Sequence, residues 1–156
     1  MFEVDISVVG KEFPAQTFDV EKGRIYDFVN AIEDPNPIYR DENAALASGY
    51  PNIMVPPTYA IALRDERGDT QRALADMGFP MGHSLHGEQE FEYYRYLRPG
   101  QTYTTQSRIA HAADKDGRSG PIVLLTLITE ILDSHGTLCV RARKVIVLRN
   151  ARLRKP

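Results

Sequence analysis

The segment Glu33-Asp34-Pro35-Asn36-Pro37-Ile38-Tyr39 separates a helical stretch of the chain from the turn that follows it. Proline has no backbone N–H and restricts the residue before it, so a helix that reaches this segment has to end there. Asp and Asn side chains accept hydrogen bonds from nearby backbone N–H groups and so favour turns. The segment therefore predicts a helix end and a tight turn that presents Asp34 and Asn36.

Helical spacing of apolar residues predicts a helix from Glu21 to Glu33 whose buried face consists of Ile25, Phe28, Val29 and Ile32. A shorter helix is expected from Asp41 to Ser48. Pro56-Pro57-Thr58 then predicts the start of a longer helix, because the first helical turn tolerates proline. The helical pattern resumes from Thr70 to Met77. The first half of the chain is thus expected to be mainly helical.

The second half has the alternating pattern of β-strands. In the segment from Glu88 to Leu97, one face carries Gln89, Phe91 and Tyr93, and the other carries Glu88, Glu90 and Glu92. Further strands are expected at Thr102 to Ala110, Ile122 to Leu132 and Leu138 to Leu148. Helices followed by an antiparallel meander predict an α+β domain. Because such a sheet leaves a face or an edge to be covered, dimerisation is expected.

Length and composition exclude several classes of function. The 156 residues suit one domain, residues 1–156, with a real hydrophobic core. The net charge of −2 gives no general reason to expect nucleic acid or an anionic membrane as a partner. No apolar stretch is long enough to span a bilayer, and the N-terminus lacks the features of a signal peptide. The single cysteine, Cys139, excludes an internal disulfide and predicts a cytoplasmic protein.

The histidines and the basic residues point to no specific ligand by themselves. His83, His86, His111 and His135 lack the spacing of a metal-ligand set, so no metal site is predicted. The basic residues from Arg149 to Pro156 are expected to fray as a tail. Two interpretations remain open for a wider basic cluster: it contacts the phosphates of a pantetheine carrier, or its charges are simply solvated at a strand edge. The cluster comprises Arg141, Arg143, Lys144, Arg149, Arg152 and Arg154.

The opening segment resembles the Gly-Asp-x-Asn-Pro-x-His motif of MaoC-like (R)-specific enoyl-CoA hydratases, in which Asp and His activate the attacking water. Asp34, Asn36 and Pro37 match this motif, whereas Tyr39 occupies the histidine position. The similarity continues through His86-Gly87-Glu88-Gln89-Glu90-Phe91 to Arg98-Pro99-Gly100. It looks closest to the FAS1-like N-terminal dehydratase branch, which includes the non-catalytic subunit of the mycobacterial β-hydroxyacyl-ACP dehydratases.

This resemblance implies a hot-dog fold, in which an antiparallel sheet wraps around a central helix and two domains pair into a double hot dog. It implies no cofactor. It also implies a degenerate catalytic pair, Asp34 and Tyr39. The substrate-binding residues that it implies are Asn36, Pro57, Thr58, His86 and Gly87.

Two departures from the family pattern weaken the expected chemistry. The reference pKa of a phenol is about 10, so the ionised form of Tyr39 is roughly 5 kcal/mol less accessible than a histidine base. Pro57 aligns with a glycine whose N–H polarises the thioester carbonyl, and proline has no N–H to donate. Thr58 carries both an N–H and a hydroxyl and is a partial substitute.

The resemblance therefore favours a non-catalytic subunit of an enoyl-thioester hydratase or 3-hydroxyacyl-thioester dehydratase in fatty acid metabolism. Its partners would be an acyl-CoA or acyl-ACP thioester and a catalytic MaoC-like subunit, or a second copy of the chain. One alternative is a homodimeric hydratase that uses Asp34 as its base, with Tyr39 or His86 as proton donor. Another is a binding module that holds acyl-CoA without reaction. A thioesterase on the same fold is a weaker possibility.

Overall fold

The structure is a computed structural model and describes residues 1–63, 69–79, 82 and 84–154. The strands are β1 (Phe2–Asp5), β2 (Gln16–Asp19), β3 (Ser84–Tyr93), β4 (Thr102–Gly117), β5 (Gly120–Leu132), β6 (Leu138–Arg149) and β7 (Ala151–Arg154). The helices are α1 (Lys22–Ala31), α2 (Glu42–Ala47) and α3 (Asp69–Asp76). Short 3-10 turns occur at Ile6–Val8, Pro37–Tyr39 and Tyr59–Ala62.

The main sheet is antiparallel and has the strand order β2-β4-β5-β6-β3. Alternation in sequence sets its two faces, since successive side chains point to opposite sides of a strand. The inner face packs against the helical segments, and the outer face carries most of the charged residues. The α+β prediction and the hot-dog fold are therefore confirmed, with the long strands β4 and β5 joined by a tight turn after Gly117.

Two hydrophobic clusters lie on the inner face. The first, which we call the α1 cluster, surrounds Ile25, Val29, Tyr59, Ile131 and Val140. The second, which we call the α3 cluster, surrounds Val4, Leu74, Phe79, Val123 and Leu148. Burial of each such side chain stabilises the fold by about 1.5–3 kcal/mol. The two clusters hold the helical segments against opposite ends of the sheet.

Three of the predicted helices are present as α1, α2 and α3 with small changes in their bounds, whereas the longer helix predicted after Pro57 is not an α-helix over the described residues. The helix expected from Glu21 to Glu33 is α1, and Ile25 and Val29 on its predicted buried face are fully buried. The segment after Pro57 begins as a four-residue 3-10 turn rather than as the start of an α-helix. It ends where Leu63 leaves the helical region with a ψ of 58°. Residues 64–68 lie outside the described part of the chain.

The expectation that residues 149–156 fray is wrong for residues 151–154. These residues form β7, which pairs in parallel with β1 and buries Ala151 completely. Arg154 forms an ion pair with Asp5 at 2.5 Å. Hydrogen bonds from the backbone of Ser7 and from Arg154 lower the pKa of the Asp5 carboxyl to about 2. Residues 155 and 156 lie outside the described residues.

Candidate active site

Helix α1 ends in a capping arrangement that sets the direction of the following turn. Glu33 has a φ of 54°, which is in the left-handed region that glycine favours. Its N–H donates to the carbonyl of Asn30, and the N–H of Asp34 donates to the carbonyl of Val29, each at 3.2 Å. These two bonds form a Schellman motif. The left-handed conformation at Glu33 explains why glycine suits the first position of the Gly-Asp-x-Asn-Pro-x-His sequence motif.

Two consecutive side-chain bonds hold the turn at Asp34. Asp34 Oδ1 accepts from the N–H of Asn36 at 2.9 Å, and Asn36 Oδ1 accepts from the N–H of Ile38 at 3.2 Å. The guanidinium of Arg40 donates to the carbonyl of Asp34. It also donates to Asn30 Oδ1 at 3.2 Å, which ties the turn back to α1. The turn therefore keeps a fixed shape, with the Asp34 carboxylate half-buried.

Tyr39 lies beside this carboxylate and is a poor base. Burial raises the pKa of its phenol, and electrostatic interactions with Asp34 and Tyr50 raise that pKa further. A phenol with a pKa above its ordinary value is neutral at physiological pH, so it donates a hydrogen bond rather than accepting a proton. The structure thus brings Asp34 and Tyr39 together, but the Tyr39 phenol is not in a state that activates water.

The turn at Asp34 is adjacent to the segment that contains Pro57. The N–H of Met54 donates to the carbonyl of Ile38 at 2.9 Å. Phe28 on α1 contacts Tyr59 edge to face, with the ring centroids 5.4 Å apart and the ring planes at 81°. These two contacts join the turn and α1 to the segment that contains Pro57 and Thr58.

Tyr93 joins β3 to the segment at Pro57. Its hydroxyl donates to the carbonyl of Pro57. Burial raises the pKa of Tyr93 to about 12, and the backbone N–H of Ala60 opposes this effect. Among the described residues, neither the N–H nor the hydroxyl of Thr58 has a hydrogen-bond partner. Thr58 is therefore the donor left for a ligand.

Comparison with known proteins identifies the family at this point. Residues 7–142 match the family described as FAS1-like, dehydratase domain region. The chain belongs to this family. It is also 32% identical over 147 residues to a UPF0336 protein of Saccharopolyspora erythraea, covering 94% of this chain and 92% of that protein. A UPF0336 protein of Thermobifida fusca is 31% identical over 134 residues, covering 86% of each.

Solved structures share the fold of this FAS1-like dehydratase domain. C-terminally truncated HadBC, a (3R)-hydroxyacyl-ACP dehydratase complex from Mycobacterium tuberculosis, superimposes with a TM-score of 0.74 and 16% identity, over 90% of this chain and 96% of that chain. The (R)-hydratase from A. caviae involved in PHA biosynthesis gives a TM-score of 0.61 and 20% identity, over 88% and 94%. At these identities the likeness shows the hot-dog fold alone.

The FAS1-like dehydratase domain does not bring His86 and Gly87 to the Asp34 site of the same chain. His86 is exposed and lies seven residues before Tyr93 on β3, which corresponds to roughly 20 Å along a strand. Gly87 forms a bulge between His86 and Glu88, where an added Cβ would lie 2.9 Å from Val147 Cγ2. Glycine therefore suits the close packing of the strands here. That His86 and Gly87 contact a substrate stays a prediction, and such a contact would lie at the end of β3 away from Tyr93.

The basic cluster does not form a single phosphate-binding surface. Arg141 pairs with Glu130 at 3.0 Å, and Arg143 pairs with Glu88 at 2.8 Å on the outer face. Lys144 lies on the inner face, because the alternation of β6 turns it away from both arginines. Arg141 and Arg143 are therefore part of a cross-strand network of ion pairs. The alternation of side chains along β6 could have shown from the sequence that Lys144 lies on the other face.

Within the described residues, no group of three or more His, Cys, Asp or Glu side chains converges to hold a metal ion. His83 lies outside those residues, so the pair that it forms with His86 in the sequence is not described. Over the same part of the chain, no helix is long and apolar enough to cross a membrane.

Proposed function

We propose that this FAS1-like dehydratase domain is the non-catalytic subunit of an (R)-specific enoyl-thioester hydratase or 3-hydroxyacyl-thioester dehydratase in fatty acid metabolism. The assembled enzyme would act on acyl-CoA or acyl-ACP, with no cofactor, in the cytoplasm. A catalytic MaoC-like partner with an intact Asp/His pair would supply the chemistry. This chain would complete the double hot dog and line the substrate channel.

The observation that carries this proposal is the occupied site at Pro57. Hydration of an enoyl thioester places a hydroxyl on C3 and a proton on C2, which requires a base for water and donors for the thioester oxygen. Tyr39 is a neutral phenol, Pro57 has no N–H, and the Tyr93 hydroxyl donates to the carbonyl of Pro57. Loss of one oxyanion donor alone costs about 10²–10³ in rate. The histidine base and the glycine donor of the family pattern are thus both replaced, while the supporting turn is intact.

The charges along β3, at the edge of the sheet, favour pairing with a different protein over pairing with a second copy of this chain. Within the described residues, β3 has a neighbouring strand on one side only. Its outer face carries Glu88, Glu90 and Glu92, which we call the acidic edge. Arg143 pairs with Glu88 and Glu90, and Arg141 pairs with Glu92, so one negative charge of the acidic edge is left in excess. Antiparallel pairing of two copies along β3 would set glutamate opposite glutamate, and like charges in that position are destabilising. A partner with basic residues on its edge strand fits better.

The main test is enoyl-CoA hydration by the purified chain alone, followed as loss of the conjugated thioester absorbance. We expect no turnover from a folded sample that still binds acyl-CoA, and turnover after a catalytic hot-dog subunit is added. Robust turnover by the chain alone, at a rate that is unchanged from pH 6 to pH 9, would overturn the proposal. A rate that rises only above pH 10 would identify the Tyr39 phenolate as the base.

The oligomeric part of the proposal is tested by sedimentation of the chain alone at low and high salt. Repulsion between acidic edges falls with ionic strength, because the Debye length shortens from about 30 Å at 0.01 M to about 10 Å at 0.1 M. We therefore expect self-association to strengthen with salt. Glu90→Gln leaves Glu88 paired with Arg143 and Glu92 paired with Arg141, and it should remove this dependence. A stable dimer of the unaltered chain at low salt would contradict the preference for a different partner.

A second candidate function is a homodimeric hydratase that uses Asp34. Asp34 Oδ1 accepts the turn hydrogen bond from Asn36, and over the described part of the chain no such bond is found to Oδ2, which could accept a proton from water. Asp34→Asn keeps an oxygen acceptor for the N–H of Asn36 but removes the charge. Activity lost in this variant, with the melting temperature unchanged, would support the second candidate.

A third candidate function is a binding module that holds acyl-CoA without turnover. It requires that acyl-CoA binding survives Asp34→Asn and that no activity appears with any partner.

A further inference from the structure

A cavity of about 240 Å³ lies on the inner face of the sheet, between the α1 cluster and the α3 cluster. Ala60 and Ile131 of the α1 cluster line one end of the cavity. Leu74, Leu127 and Ile146 of the α3 cluster line the other end. All five of these side chains are buried. Both ends of the cavity are therefore apolar.

One end of the cavity lies beside the candidate active site. Phe91 lines the cavity and comes two residues before Tyr93 on β3, and Ala60 comes three residues after Pro57. Because the Tyr93 hydroxyl donates to the carbonyl of Pro57, these two segments meet at this end. An acyl chain with its thioester at Pro57 would therefore enter between Ala60 and Phe91 and extend toward Leu74.

Ala142 keeps the middle of the cavity open. The register places it directly opposite Phe91 on β3 and Thr129 on β5, and all three residues line the cavity. The next residues of β6 that line the cavity, Lys144 and Ile146, have much larger side chains. A larger side chain in place of Ala142 would fill the space between the two clusters.

Four polar side chains that line the cavity are already engaged within the fold. The hydroxyls of Ser107 and Thr129 bond each other at 2.8 Å. The Gln89 amide donates to the carbonyl of Arg143 at 3.3 Å. Lys144 also has an interaction partner. An alkyl chain beside these four side chains leaves their interactions in place, so it avoids the cost of an unsatisfied polar group.

The volume of the cavity sets how much of an alkyl chain it holds. An apolar protein cavity of about 150 Å³, lined by Leu, Ile and Phe, holds one benzene molecule, which has six carbons. In the same proportion, a cavity of about 240 Å³ holds roughly ten carbons.

We propose that this cavity takes the alkyl tail of a medium-chain acyl thioester, with Ala142 leaving room for the tail and the α3 cluster ending it after roughly ten carbons. The proposal rests on the proposed function and names its substrate class. Each methylene that moves from water into the cavity adds affinity, and a methylene beyond the α3 cluster adds none.

The experiment is calorimetric titration of the purified chain with saturated acyl-CoA thioesters, which have no double bond to hydrate. The probes run from butanoyl-CoA to tetradecanoyl-CoA in steps of two carbons. We expect the affinity to rise about fourfold per methylene up to a tail of roughly ten carbons, and then to level off or fall.

A rise that continues at the same slope to tetradecanoyl-CoA would overturn the inference and leave the proposed function standing. The same holds for an affinity that does not rise beyond hexanoyl-CoA. Failure of every probe to bind would overturn both the inference and the proposed function.

A matched pair of variants assigns the limit to this cavity. Ala142→Leu fills the middle of the cavity, and Ala113→Leu makes the same change on the outer face of β4, opposite Leu124. We expect Ala142→Leu to weaken decanoyl-CoA binding about tenfold or more and to change butanoyl-CoA binding little, which shows that the fold is retained. Ala113→Leu should leave both affinities unchanged.

Unchanged decanoyl-CoA binding by folded Ala142→Leu would contradict the assignment. If circular dichroism shows that this variant does not fold, Ala142→Val makes a smaller change at the same position. It should weaken decanoyl-CoA binding in the same direction, and unchanged binding by this variant would equally contradict the assignment.

Discussion

The turn at Asp34 and the segment at Pro57 are neighbours, yet they differ in how far they match the pattern of the hydratases that the chain resembles. In the turn, the N–H of Asn36 donates to Asp34 Oδ1 and the N–H of Ile38 donates to Asn36 Oδ1. The neighbouring segment has Pro57, which offers no N–H, and the Tyr93 hydroxyl donates to its carbonyl. An ordered turn beside a segment without this donor is what we expect of the non-catalytic subunit proposed above.

The largest effect is expected from restoring both missing groups. Tyr39→His supplies a base near neutral pH, and Pro57→Gly restores a backbone N–H. We expect the double variant to hydrate enoyl-CoA about 10²–10³ times faster than Tyr39→His alone, because that is the usual contribution of one oxyanion donor. The measurement is loss of the conjugated thioester absorbance. Adding Asp34→Asn to the double variant should abolish the gain. Equal rates for the single and double variants would mean that Pro57 is no deficit.

The next largest effect is expected on the free energy of unfolding, and it shows whether the Asp34 side chain holds the turn. Asp34→Ala removes the acceptor of the Asn36 N–H and should lower the free energy of unfolding by about 1–1.5 kcal/mol. Asp34→Asn retains an oxygen in the same position and should change it little. Chemical denaturation of the three proteins measures both values. A similar loss for both variants would show that charge, rather than the turn hydrogen bond, is what matters.

A somewhat smaller effect is expected for the coupling free energy between α1 and the segment after Pro57. The edge-to-face contact between Phe28 and Tyr59 joins α1 to the segment after Pro57. A double-mutant cycle with Phe28→Leu and Tyr59→Leu should give a coupling free energy of about 1 kcal/mol. Additive effects of the two substitutions would mean that the regions are held together by other contacts.

The smallest effect concerns the residue that begins the turn. Glu33 adopts a left-handed conformation that is unfavourable for a residue with a Cβ. Glu33→Gly should therefore raise the free energy of unfolding by about 0.5 kcal/mol, after the entropy that glycine adds to the unfolded chain is subtracted. Glu33→Ala, which keeps the Cβ, is the control and should not stabilise. Thermal unfolding monitored by circular dichroism distinguishes the two.

Much of the architecture was predictable, because it depends on local patterns. The period of α1 and the alternation of β3 are properties of a few neighbouring residues, and both were predicted from sequence. The face that carries Gln89, Phe91 and Tyr93 was predicted correctly, and it is the inner face. The tail was misjudged because β7 pairs with β1 at the opposite end of the sequence. Four residues give too short a pattern to indicate such a partner.

The sequence by itself determined the family, the order of the elements and the substitutions at Tyr39 and Pro57, since each is carried by residue types at fixed spacing. Only the tertiary structure decided that the Tyr93 hydroxyl bonds the carbonyl of Pro57, 36 residues earlier. It also decided that β7, at the end of the chain, pairs with β1 at its start. Both depend on strand register and chain reversal, which bring distant residues together, and local spacing contains no information on either.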